Sequence, residues 1–124
     1  MLKDRVERIL VVDDSATARL IIKQCLEICG FADKTFYEAG NGVEALKLLD
    51  EFGANLILMD LYMPKMDGRA LLAEIKKRPE KPVVVVITSA ANQAVEQELL
   101  LLGADAIAHK PVSPASLLQS LEKI

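Results

Sequence analysis

A chain of 124 residues, 52% hydrophobic and 27% charged, has the size and balance of a single globular domain (1–124) that buries its own core. Its formal charge of −3 offers no basic field to nucleic acid or to an anionic membrane surface. No apolar run reaches membrane-spanning length, and residues 1–8 lack the apolar stretch of a signal peptide, so a cytoplasmic location is expected.

The first strand is expected over Arg8–Val12. A helix over 15–29 follows, with Ala18, Ile21, Ile22, Cys25 and Cys29 on one apolar stripe. The two cysteines read as small core residues, because a metal site would want further Cys or His ligands and His109 stands far along the chain. The second strand, 34–39, alternates (KTFYEA) and reads as an edge. Then come a helix over Gly42–Glu51, a strand over Leu56–Asp60, a helix over 68–77 and a strand over Val83–Thr88. A helix over 92–102, a strand over Ala106–His109 and a helix over 114–123 complete the chain. Gly30, Gly53 and Gly103 follow apolar helical runs, where a left-handed residue ends a helix at least cost. Ser113-Pro114 places a capping hydroxyl before a proline at the first helical position. Within 99–102, four successive leucines cannot all face a core, so at least one is expected to point outward. An ordinary surface leucine is the plainer explanation, and a docking or dimer face beside Ile107 the sharper one.

Four of the five strands are near-continuous apolar runs, as expected where helices cover both faces of a parallel sheet. Strands alternating with helices at this spacing imply right-handed βαβ units and an α/β, doubly wound fold. Ligands of such sheets bind beyond the carboxyl ends of the strands. The first strand ends in Asp13-Asp14, the third in Asp60, the fourth in Thr88-Ser89 and the fifth in Lys110. Singly, these residues could be a helix cap, a turn residue, a self-satisfied hydroxyl and a solvated strand end. Together they pose an electrostatic problem, since close carboxylates repel by about 4 kcal/mol per pair at an effective dielectric near 20. A hard divalent cation on carboxylate oxygens answers it, with Lys110 as a second positive charge. A carboxylate beside such charges can act as a nucleophile toward phosphorus. No GxxxxGK[ST] loop is present, no GxGxxG follows the first strand, and no Ser-His-acid or Cys-His set can be assembled at the strand ends.

The stretches VVDDS at 11–15, LILMDLYMPKMDG at 56–68, VVVVITSAA at 83–91 and GADAIAHKP at 103–111 resemble the receiver domain of two-component response regulators. The likeness covers nearly the whole chain and is nearest to the stand-alone, chemotaxis-type member. It implies a flavodoxin-like (βα)5 domain with strand order 2-1-3-4-5. It also implies that Asp60 is the phosphoacceptor, charged by a sensor histidine kinase, a phosphotransfer protein or small phosphodonors. Mg²⁺ would be held by Asp14, Asp60 and the main-chain carbonyl of Tyr62, with Asp13 acting mostly through water. Lys110 and Thr88 would meet the phosphoryl oxygens, and Lys110-Pro111 would be cis. Tyr62 and Ala90 occupy positions that tune hydrolysis in this family.

Thr88 would carry the switch to an output surface formed by the helix over 92–102, the strand Ala106–His109 and the helix over 114–123, in a monomer or weak homodimer. Family members usually place an aromatic residue three before the lysine, where this chain has Ile107. A switch carried by the loop alone, or coupled less tightly to Thr88, is therefore expected. With no second domain in the sequence a stand-alone switch is expected, with no enzyme activity beyond its own phosphorylation and dephosphorylation; Met1 favours a natural N-terminus, and a piece excised from a longer regulator stays open at the other end. Chemotaxis-type signalling and phosphorelay duty both stay open. Two rivals are an interaction module that is never phosphorylated, and a Mg²⁺-dependent phosphohydrolase. The latter would carry Asp-x-Asp after the first strand, whereas Asp13 and Asp14 are adjacent.

Overall fold

The computed structural model describes residues 1–89 and 92–124. Ala90, one of the positions expected to tune hydrolysis, lies outside them. The described residues form α1 (Leu2–Arg5), β1 (Arg8–Val12), α2 (Ala16–Leu26), β2 (Thr35–Ala39), α3 (Gly42–Glu51) and β3 (Leu56–Asp60). They continue with α4 (Gly68–Lys76), β4 (Val83–Thr88), α5 (Gln93–Leu101), β5 (Ala106–His109) and α6 (Pro114–Glu122). All strand pairs are parallel, in the order β2-β1-β3-β4-β5, so the alternating KTFYEA strand is an edge as expected.

The apolar runs are explained by what covers each face. Ile9, Val11, Leu58, Val85 and Ile87 pack with Ile22 and Leu26 of α2 and Leu117 and Leu121 of α6. Their alternates Leu10, Val12, Ile57, Met59, Val84 and Val86 pack with Leu49 of α3, Leu71 and Ile75 of α4 and Leu99 of α5. Period-2 side chains facing two helical layers leave no solvated face on the inner strands. Of the leucine run, Leu99 is buried while Leu100, Leu101 and Leu102 are exposed, Leu101 the most.

The first long helix meets expectation: helical backbone continues past Leu26 to Cys29, and Gly30 breaks it with a φ of +104°. Just past this kink Phe31 enters the core, and the Cys29 thiol before it donates to the Pro114 carbonyl at 3.3 Å. Cys25 is buried and Cys29 half-buried, both pushed to higher pKa by burial, as suits packing residues. Ile21 turns to solvent rather than joining the stripe. The one-turn α1 was not anticipated, since four residues show no readable period.

Candidate functional site

Four of the five strands, β1, β3, β4 and β5, deliver a polar residue at or just past their carboxyl ends to one edge of the sheet. Asp13 follows β1 and is 1% exposed; Asp60 ends β3 at 8% exposed. Thr88 ends β4 fully buried, and Lys110 follows β5. Asp14 beside Asp13 is exposed. One carboxylate oxygen from each of Asp13, Asp14 and Asp60 lies within 4.8 Å of the others. The Lys110 Nζ donates to Asp13 Oδ2 at 3.0 Å and sits 3.3 Å from Asp60 Oδ2. Lys110-Pro111 is cis, as expected.

Local structure accounts for these placements. The Asp13 amide donates to the Ala39 carbonyl of β2, and the Ser15 amide donates to Asp13 Oδ1, so Asp13 makes the turn that leaves the strand. The cap of α2 is Ser15, whose hydroxyl accepts from the Ala18 amide. The capping alternative for the acidic pair does not hold: Asp13 shapes the turn, and Ser15, not either aspartate, caps the helix. Beyond β3, the Leu61 amide donates to Asp60 Oδ1 at 2.8 Å. Asp67 caps α4 through the Ala70 amide, and the Gly68 amide donates to the Leu61 carbonyl at 2.7 Å, folding the loop back onto the end of β3. A β-carbon on Gly68 would lie 2.7 Å from Leu61 Cα and 2.8 Å from the Asp60 carbonyl oxygen.

Burial pushes the Asp60 carboxyl above its ordinary range; the Lys110 charge pulls it back, the Asp13 charge raises it again, and the net direction is upward. For Lys110, burial works downward, but the hydrogen bond to Asp13 and the charges of Asp60 and Asp13 outweigh it and raise the ammonium. The cluster is therefore short of positive charge. Two buried carboxylates and one exposed to solvent, all offering hard oxygen atoms within 4.8 Å, fit one small divalent cation reached from water.

Other predicted residues are placed as follows. Tyr62 is exposed at 54% on the loop after Asp60. Ile107 is half-buried against the α3–α5 layer, and its carbonyl accepts from Ser120 of α6. His109 turns away from the acidic edge, with Nε2 2.6 Å from Glu96 of α5.

Sequence reasoning missed Gly68 as a shaping residue and missed Arg19. The Arg19 guanidinium donates from Nη1 to the Asp13 carbonyl at 2.6 Å and from Nε to Glu38 of β2 at 3.0 Å. One signal was available: a cation in the first turns of α2 sits against the helix dipole.

Comparison with known proteins places the same residues inside a recognised unit. The family described as "Response regulator receiver domain" matches residues 9–122. A probable chemotaxis protein CheY of Rhizobium etli is 30% identical over 119 residues, covering 94% of this chain and 91% of that protein. A protein-glutamate methylesterase/protein-glutamine glutaminase of Rhodospirillum rubrum is 40% identical over 111 residues, but the match spans only 30% of its length. Among solved structures, the signal receiver domain of a DNA-binding response regulator from Colwellia psychrerythraea superposes with a TM-score of 0.84. It is 25% identical, with 94% of this chain and 96% of that one covered.

Proposed function

The chain belongs to the response regulator receiver family of two-component signalling, and we propose that it is a Mg²⁺-dependent phosphoacceptor switch with Asp60 as the acceptor. The observation that carries this reading is the Lys110 ammonium between Asp13 and Asp60, 3.0 and 3.3 Å away, at the edge where all the strand-end polar residues meet.

In this reading a carboxylate oxygen of Asp60 attacks the phosphorus of a phosphohistidine on a kinase or phosphotransfer protein. The O–P bond forms as the P–N bond breaks, and the departing imidazole nitrogen takes up a proton. The Leu61 amide holds Asp60 Oδ1 and so fixes the plane of the nucleophile. Lys110 lies where it can pair with the equatorial oxygens. Asp14, Asp60 and the Tyr62 main-chain carbonyl would hold Mg²⁺, with Asp13 acting through water; the ion would supply further charge neutralisation of the phosphoryl group.

The phosphoryl group adds charge and three acceptor oxygens at one fixed point. A rearranged Thr88 then shifts the population of the α5–β5–α6 face, where an output protein docks. Ile107 leaves this coupling without an aromatic reporter, so the loop after Thr88 carries more of it. No basic field invites direct contact with nucleic acid, and among the described residues no helix is long and apolar enough to cross a membrane. We place the protein in the cytoplasm on this reading, as a monomer or weak homodimer.

The test is intact mass after incubation with Mg²⁺ and acetyl phosphate, for the wild type and Asp60→Asn. The expected result is a labile gain of one phosphoryl group, absent in the variant and in EDTA. No gain in the wild type would reduce the chain to an interaction module that uses the unmodified surface.

A further inference from the structure

Arg19 reaches the main chain of the acidic pair from α2, and the receiver reading leaves it without a role. Its side chain is 19% exposed, and both bonded nitrogens have strong acceptors. Nη1 meets the main-chain carbonyl of Asp13 at 2.6 Å, and Nε meets Glu38 on the edge strand at 3.0 Å. A fork of this kind locks an orientation in a way a single ammonium does not.

What the fork orients is the peptide that joins Asp13 to Asp14. Asp13 is already fixed by three further bonds: its amide to the Ala39 carbonyl, its Oδ1 to the Ser15 amide and its Oδ2 to Lys110. Asp14 differs, being exposed and making no side-chain hydrogen bond among the described residues. The direction of its Cα–Cβ bond depends on the plane of the peptide before it, and Arg19 holds the oxygen of that peptide. Glu38 anchors the far side of the guanidinium, and the turn after β2 is braced in turn by the Gly40 amide donating to Glu44 Oε2 at 2.7 Å.

We propose that Arg19 is a positioning residue for the cation site: it fixes the Asp13–Asp14 peptide so that the Asp14 carboxylate faces Asp13 and Asp60. This rests on the reading that the acidic cluster holds Mg²⁺. It has a consequence opposite in sign to simple electrostatics. As a bare positive charge, Arg19 would repel an arriving cation, and its removal would tighten binding. As a positioning residue, its removal weakens binding. Partners one shell out from a metal ligand typically affect affinity by tenfold or more when removed.

The experiment is calorimetric titration with Mg²⁺ at fixed ionic strength on the wild type, Arg19→Ala, Arg19→Lys and Glu38→Ala, each with a melting temperature in EDTA. The proposal expects a Kd raised about tenfold in Arg19→Ala. It expects partial recovery in Arg19→Lys, which keeps one donor but not the fork, and a smaller rise in Glu38→Ala, where the Asp13 contact survives. An unchanged or lower Kd in folded Arg19→Ala overturns it, including the case where only the EDTA melting temperature falls, since that marks a structural tether. Should Arg19→Ala not fold, Arg19→Lys decides alone, and a Kd at or below that of the wild type overturns the proposal. A wild type that takes up no Mg²⁺ overturns the metal reading itself, and this inference falls with it.

Discussion

Replacing Asp60 with asparagine should make the metal-free protein more stable, because the folded state holds that carboxylate at a loss. With carboxylate oxygens no more than 4.8 Å apart, the Asp13–Asp60 repulsion is at least about 3.5 kcal/mol at an effective dielectric of 20. The Lys110 attraction at 3.3 Å is about 5 kcal/mol on the same footing, before discounting for a lysine side chain that is 31% exposed. Asp14 adds repulsion and burial adds desolvation, so the balance tips against the charge, in agreement with the raised pKa of Asp60. In Asp60→Asn, Lys110 keeps its 3.0 Å partner Asp13 and is not stranded.

The expected gain is about 1 kcal/mol, or roughly 3 to 5 °C in melting temperature for a chain of this size. The pH dependence follows from the direction of the shift. A carboxyl whose folded pKa lies above its unfolded value contributes stability below the unfolded value, and loses it as pH rises through the folded one. The advantage of Asp60→Asn should therefore be small at acidic pH and full at neutral pH. Mg²⁺ should reverse the order, since a ligand at a hundred times its Kd stabilises the wild type by about 2.7 kcal/mol and the variant by much less. The assay is thermal unfolding of both proteins in EDTA and in saturating Mg²⁺ at neutral and acidic pH. If Asp60→Asn melts below the wild type in EDTA at neutral pH, the electrostatic account of the site is wrong.

Three further outcomes are expected. Lys110→Met removes the cation shared by two buried carboxylates and should cost about 1 to 3 kcal/mol in urea unfolding without metal, with part of the loss restored by Mg²⁺. Gly68→Ala pushes a β-carbon against backbone atoms 2.7 to 2.8 Å away, so it should cost about 1 to 3 kcal/mol and slow acceptor phosphorylation by intact mass. Ile107→Tyr should leave the phosphorylation rate near that of the wild type while altering amide exchange in β5 and α5; unchanged exchange would remove Ile107 from the switch.

Much of the fold was legible because its signal is physical and local. Runs such as Leu-Ile-Leu-Met before Asp60 are strands buried on both faces, and the structure covers those faces with α2 and α6 on one side and α3, α4 and α5 on the other. Sheet order was different. Nothing in a strand's own residues says which neighbour it takes, and that part came from resemblance to a family. The end of the first long helix was legible too: apolar spacing runs through Cys29, and Gly30 stops the helix with a φ of +104°.

The site was legible because it gathers charge. Strands that end in Asp, Asp and Lys put charge where an apolar run should simply stop, and such local conflicts stand out. Arg19 and Gly68 did not stand out, because their roles depend on distance rather than residue type. Arg19 meets a carbonyl six residues back only after β1 has turned into α2, and Gly68 meets Leu61 only after the loop has closed. The two buried acids of this cluster are held by bonds of their own and share Lys110: Asp13 by Ala39 and Ser15, Asp60 by Leu61. The fold thus holds the carboxylates together against their repulsion before any ligand arrives. A site held together in this way would gain from a positive charge, and on the proposed reading it would give a phosphoryl group on Asp60 a rigid frame from which to draw Thr88.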